Sequence, residues 1–154
     1  MLGLRRKVSE LSSFAKEKAL VNSLKTLFLI LSGTGAQKFM DEIGDEQEIL
    51  LTVADLAIQI FALESAVLRA EKISPKVSET KQKLLNAAVQ IFAFEAAENA
   101  GRAARKGAFF IEEGDSLTMI LSGIRRFTRY DATGLLTAKR FLAEATFEAE
   151  QYVF

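Results

Sequence analysis

The chain has 154 residues, with 20 Lys and Arg balancing 20 Asp and Glu, 49% apolar residues, one proline, and no Cys, His or Trp. That length suits one domain with a real core. The missing cysteine excludes disulfides, thiol nucleophiles and Cys-ligated zinc. The missing histidine excludes Ser-His-Asp and Cys-His nucleophile systems, the usual transition-metal ligand and the commonest general base. The composition therefore favours a binding or structural module.

Zero net charge argues against bulk attraction to nucleic acid or anionic lipid, but the charge is unevenly placed. Residues 1–40 carry seven basic and two acidic side chains; residues 41–64 carry seven acidic and no basic ones. The basic start, Leu4-Arg5-Arg6-Lys7, is followed by no long apolar stretch or small-residue cleavage site. The longest nearby run without a polar residue is Leu27–Leu31, far below the roughly 20 residues of a membrane span. A cytoplasmic protein is expected, with peripheral membrane contact through the basic N-terminal helix as an additional expectation.

In chain order, Val8 to about Met40 reads as a first helix. Phe14, Leu20, Leu24, Leu27, Phe28 and Leu31 stand at helical spacing, and Gly33 and Gly35 are points of interruption or close approach. The clearest helix runs from about Asp45 to Lys72. Asp45 is its expected cap and Glu48 the capping-box partner. Ile49, Val53, Leu56, Ile60, Leu63 and Val67 step by 4,3,4,3,4, the seam of a helix packed nearly parallel to others. Leu50, Ala57, Phe61 and Leu68 widen that seam toward more than one partner.

Ser74-Pro75 should cap and start the third helix, running to the Ala108 region with Gly101 and Gly107 weakening its later turns. Leu84, Ala88, Ile91 and Glu95 form one line on it, with Leu85, Val89, Phe92 and Ala96 beside them. Asp115 is the expected cap of a fourth helix, Ser116 to Tyr130, and Asp131 or Thr133 begins a fifth from about Gly134 to Gln151. Short connections favour antiparallel neighbours. The predicted architecture is all-α: residues 1–154 as a single domain, an up-down four-helix bundle with an additional short C-terminal helix.

Residues 57–66 and 88–97 match at seven of ten positions, which sets Glu64 and Glu95 at equivalent places near apolar seams. Paired inward glutamates on a bundle suggest a di-iron or di-manganese site, but such sites also use Glu-x-x-His motifs. Val67 and Glu98 occupy the two histidine positions. The more economical expectation is a carboxylate at a seam edge, or paired with an arginine such as Arg69, Arg102 or Arg105.

Gly33-Thr34-Gly35 imitates the turn of a dinucleotide site, but Lys38 replaces the third glycine and the approach is helical. Ser13-Phe14-Ala15-Lys16 and Ser78-Glu79-Thr80-Lys81 match Ser-x-x-Lys without its companion elements. The cluster Arg125-Arg126-Phe127-Thr128-Arg129-Tyr130 sits where arginines suit the negative end of a helix dipole. It is read as structural or as a docking surface, not as a nucleic-acid site.

The stretch Asp45–Lys72 resembles the C-terminal extension of very-long-chain-type acyl-CoA dehydrogenases. That family shows an E-Q-x-x-L…L-A-D-x…Y-A-x-E-S-x-x-L-R pattern there. It is carried here by Glu46, Gln47, Leu50, Ala54, Asp55, Ala62, Glu64, Ser65, Leu68 and Arg69, with Phe61 where tyrosine is frequent. Residues Leu121–Tyr130 and the ending Gln151-Tyr152-Val153-Phe154 are similar to the close of the bacterial versions, so the resemblance covers about residues 15–154.

In full-length members the flavin, the acyl-CoA cleft and the catalytic glutamate belong to a region upstream of this extension. The resemblance therefore implies no catalytic, cofactor-binding or metal residue in this chain, and FAD only in that other region. It implies a helical accessory domain packed on a catalytic region or on itself, linked in mammalian relatives to dimer organisation and peripheral membrane attachment. Asp55, Glu64, Arg69 and Glu95 are the structural polar candidates. The Leu27–Leu31 face and Arg125, Arg126 and Tyr130 are the docking candidates. The competing readings are a stand-alone adaptor or oligomerisation bundle, a carboxylate-metal oxidoreductase, and a bundle that holds a fatty acyl chain.

Overall fold

A computed structural model describes residues 14–154. The basic Leu4–Lys7 stretch and the expected helical residues 8–13 lie outside the described residues. Five α-helices follow: α1 (Ala15–Phe39), α2 (Gln47–Ile73), α3 (Glu79–Ile111), α4 (Gly114–Phe127) and α5 (Leu135–Ala149). There is no strand among the described residues.

The direction of each helix follows from which ends touch. Lys18 and Lys25 of α1 pair with Glu71 and Glu64 of α2, at 2.5 and 2.6 Å, so α1 and α2 run antiparallel. Lys38 Nζ donates to the carbonyl of Ile111, bringing the C-terminal ends of α1 and α3 together. Tyr130, just past α4, reaches Glu17 in the first turn of α1. The result is the expected up-down arrangement of four helices. Helix α3 touches all the others, whereas α5 packs on α3 alone among the helices.

Small residues make α3 the central helix. Ala93, Ala96, Ala97, Ala100, Ala104 and Ala108 are buried on it, which lets neighbouring backbones come close. Leu20, Leu24, Leu27 and Leu31 of α1 close over that surface with Leu56, Leu63 and Val67 of α2. Burying such side chains contributes about 1.5–3 kcal/mol each, which is ample for a bundle without a ligand.

The boundaries correct several expectations. Helix α1 is not interrupted at Gly33 or Gly35; it ends where Met40 takes φ +46°. A 3-10 turn, Met40–Asp45, absorbs Asp45, so Glu46 rather than Asp45 precedes α2, with no side-chain cap. Ser74–Lys76 is a 3-10 turn rather than the first turn of α3. Val77 then runs extended, and Ser78 caps α3 by accepting from the Lys81 N–H at 3.4 Å. The Ser78–Lys81 pattern is a helix start. Helix α3 continues past Gly101 and Gly107 to Ile111. Helix α4 begins at Gly114, with Asp115 inside its first turn rather than at the cap, and ends at Phe127.

Two segments, Ala15–Asp45 and Gln47–Lys76, are long and apolar enough by length and composition to cross a membrane. Their leucine and valine seams face one another, and their lysines and glutamates pair across the bundle. Of the most apolar stretch of each segment 33% and 28% is buried in the bundle, so each has a packed face and an outward one.

Candidate functional site

The repeated glutamates do not converge. Glu64 Oε1 accepts from Lys25 Nζ at 2.6 Å, and Glu95 Oε1 accepts from Lys139 Nζ of α5 at 3.0 Å. Both partners are lysines, not the arginines expected at Arg69, Arg102 or Arg105. Each carboxylate sits at a seam edge, tying α2 to α1 and α3 to α5. Among the described residues no three acidic side chains form a group that could hold a metal ion.

Asp55 and Arg69 are both exposed on α2 and make no ion pair among the described residues. Arg69 borders a groove of ≈ 500 Å³ between α2 and α3, together with Lys81 and the apolar side chains of Ile73, Leu85 and Phe92. The C-terminal Tyr152 and Phe154 also line it, stacked edge to face at 5.8 Å.

The two docking candidates do not form one surface: a groove between α1 and α4 joins the Leu27–Leu31 run to Phe127, and its lining includes none of Arg125, Arg126 and Tyr130. Leu27 and Leu31 are buried, so the Leu27–Leu31 run does not form one exposed face. Leu29, at 67% exposure, and Ile30 are what it offers outward. Ile30 joins Met119, Ile120 and Phe127 around a groove of ≈ 320 Å³ between α1 and α4. Arg125 and Arg126 lie exposed in the last turn of α4, with the Arg126 guanidinium 6.0 Å from the Phe127 ring centre. Tyr130 is set apart from them and faces inward.

That inward contact rests on a residue the sequence did not single out. Glu17 is 9% exposed, and its Oε1 accepts from the Tyr130 hydroxyl at 2.6 Å. Burial, and then the Glu17 carboxylate beside it, push the Tyr130 hydroxyl well above the ordinary tyrosine range. Next to it Asp131 accepts from the Thr133 hydroxyl at 2.6 Å and from its N–H at 3.1 Å, with Lys16 at 3.6 Å. Those contacts, the Thr133 hydroxyl first, hold the Asp131 carboxyl below its usual range. The chemistry of this corner is structural: it fixes the ends of α1, α4 and α5. A glutamate three residues after Phe14 could have signalled it, since Phe14, Glu17, Leu20, Leu24 and Leu27 share one face.

A row of exposed apolar side chains lies on the outside of α2. Leu51, Ile58, Phe61 and Leu68 are 64%, 59%, 74% and 52% exposed, on the side opposite the buried Ile49, Leu56, Ile60, Leu63 and Val67. Of the residues expected to widen the seam toward more than one partner, Ala57 is half-buried, whereas Leu50, Phe61 and Leu68 are exposed, and Phe61 and Leu68 do not join the core. They belong to a second, outward seam.

Comparison with known proteins gives one family. A family model described as "Acyl-CoA dehydrogenase, C-terminal domain" matches residues 23–126. A probable acyl-CoA dehydrogenase of Bacillus subtilis (strain 168) is 40% identical over 139 residues, which is 89% of this chain and 23% of that protein. The crystal structure of an acyl-CoA dehydrogenase complexed with FAD from Bacillus anthracis is similar with a TM-score of 0.86 at 35% identity. The match covers 92% of this chain and 24% of that one. The chain thus spans about a quarter of the length of the relatives it matches.

Proposed function

The chain belongs to the acyl-CoA dehydrogenase C-terminal domain family, and from that premise we propose that it is the helical accessory domain of an acyl-CoA dehydrogenase-like flavoenzyme of fatty-acid β-oxidation. Its work is assembly, with no catalytic step of its own. The observation that carries this reading is the fit of nearly the whole chain to about one quarter of an FAD-complexed acyl-CoA dehydrogenase.

The residues of the chain support the same division of labour. Glu17, Glu64, Glu71 and Glu95 each have a partner on another helix or just beyond one, so they hold the bundle together. The described residues also do not fit FAD. The glycine pair that imitates a dinucleotide turn, Gly33 and Gly35, lies inside α1, where backbone N–H groups are engaged in the helix and cannot cradle a pyrophosphate. In this proposal FAD stays with the catalytic region of the enzyme.

That catalytic region is the first partner. The groove between α1 and α4, apolar at Ile30, Met119, Ile120 and Phe127 and bordered by Glu112, suits a protein surface of mainly apolar character. The proposed location is the cytoplasm. Peripheral membrane contact would fall to the basic Leu4–Lys7 stretch.

The test uses the native protein and a reconstitution. In the source lysate, an antibody to this chain should mark a flavin-bearing assembly larger than 17.0 kDa. Purified chain mixed with the Bacillus subtilis relative shortened by its matching stretch should co-elute with flavin absorbance. A flavin-free species in both experiments would overturn the reading. The second reading, a stand-alone oligomerisation module, would then lead; the exposed seam on α2 is the observation that favours it.

A further inference from the structure

The outward seam of α2 has an internal order that says what covers it. Leu51, Ala54, Ile58, Phe61, Ser65 and Leu68 step by 3,4,3,4,3, and all six are exposed. Read from either end, the sizes run large, small, large, large, small, large. Each pair of numbers counted inward from the ends has the same sum, so a two-fold axis between residues 59 and 60 sets Leu51 on Leu68, Ala54 on Ser65 and Ile58 on Phe61. Those are the layers of an antiparallel helix pair, with small residues opposite small and large beside large.

Charge selects the same arrangement. The exposed ionic side chains Glu48 and Asp55 lie toward the N-terminal half of α2, and Arg69 and Lys72 toward its C-terminal half. None of the four is in an ion pair among the described residues. A parallel copy would set like charges together; an antiparallel copy sets the acidic half against the basic half, with Glu48 near Arg69 of the copy. Leu51, Ile58, Phe61 and Leu68 each leave more than half of their surface exposed, and a stable interface buries roughly 800 Å² a side.

We propose that the outer face of α2 is a homodimer interface in which α2 packs antiparallel on α2 of a second copy through Leu51, Ile58, Phe61 and Leu68. The interface deepens the assembly reading by naming its contact, and it does not depend on the flavoenzyme partner.

The experiment is sedimentation velocity on the purified chain from about 1 to 100 µM, concentrations chosen on the order of ordinary dimer affinities. A reversible dimer of the 17.0 kDa chain is expected. Phe61→Glu should weaken it by about 30-fold or more with helicity unchanged, because the side chain is 74% exposed in the monomer. Glu48→Lys and Arg69→Glu should each weaken it, and the double variant should recover most of the loss. Ala54→Cys with Ser65→Cys should give an interchain disulfide in a chain that has no cysteine of its own.

A monomer throughout this range would overturn the proposal, as would a dimer indifferent to Phe61→Glu or a charge swap without recovery. A monomer that floats with anionic phosphatidylglycerol vesicles through this seam would also overturn it. So would a monomer whose seam binds the flavin-binding region, an outcome that would leave the accessory-domain reading intact.

Discussion

A Cβ placed on Gly107 of α3 would stand 2.9 Å from Thr52 Oγ1 of α2, closer than such atoms approach. Thr52 cannot swing away freely, because its hydroxyl donates to the Ile49 carbonyl at 2.8 Å. Gly107→Ala therefore sets a helix-propensity gain of about 1 kcal/mol against an overpacking cost of about 1–3 kcal/mol. A net loss of stability is expected in urea denaturation. In a Thr52→Ala background the obstructing oxygen is gone, the remaining Cβ neighbour is at 3.5 Å, and the same substitution should become stabilising.

Gly33 gives the opposite sign. It lies on α1, and a methyl group added there would meet nothing within 4 Å, so Gly33→Ala should stabilise by up to about 1 kcal/mol. Met40, at φ +46° just beyond the same helix, is the complementary case. Met40→Gly should relieve about 1 kcal/mol of left-handed strain. Both gains should appear as raised midpoints with unchanged slopes.

Much of this bundle was legible because burial follows period. The 4,3,4,3,4 seam of α2 went to the core at Ile49, Leu56, Ile60, Leu63 and Val67. Its caps were less legible, since Asp45 and Ser74 look like helix starts but are taken up by 3-10 turns. Gly101 and Gly107 read only as weak points in the later turns of α3, because the sequence cannot show the neighbour that needs the space at Gly107. The pairings of Glu64 and Glu95 were hidden for the same reason: Lys25 and Lys139 are far away in sequence. The second seam was visible as Phe61 and Leu68, but only the fold shows that it faces outward.

Neighbouring residues on α2 separate packing from charge. Leu63 is fully buried, and Leu63→Ala should cost about 2–5 kcal/mol. Glu64 is paired with Lys25 at a part-exposed edge, so a Lys25–Glu64 double-mutant cycle should give a coupling of about 0.2–1 kcal/mol that shrinks with salt. A coupling above that range would mean the pair is better shielded than its exposure indicates.

The Tyr130–Glu17 contact predicts a pH dependence with a defined sign. Tyr130→Phe removes the hydroxyl that donates to a largely buried carboxylate, at a cost of about 1–3 kcal/mol near neutrality. The folded state raises the Tyr130 pKa, so it keeps its proton where the unfolded chain begins to lose it. The stabilising contribution is whole below the ordinary tyrosine pKa of about 10 and is lost as pH rises above it. Urea midpoints of the wild-type and Tyr130→Phe chains, compared from about pH 7 to 11, should differ by a constant amount up to about pH 9 and converge above that. A gap that stayed constant through the alkaline range would mean that the hydroxyl ionises as readily in the bundle as in the unfolded chain.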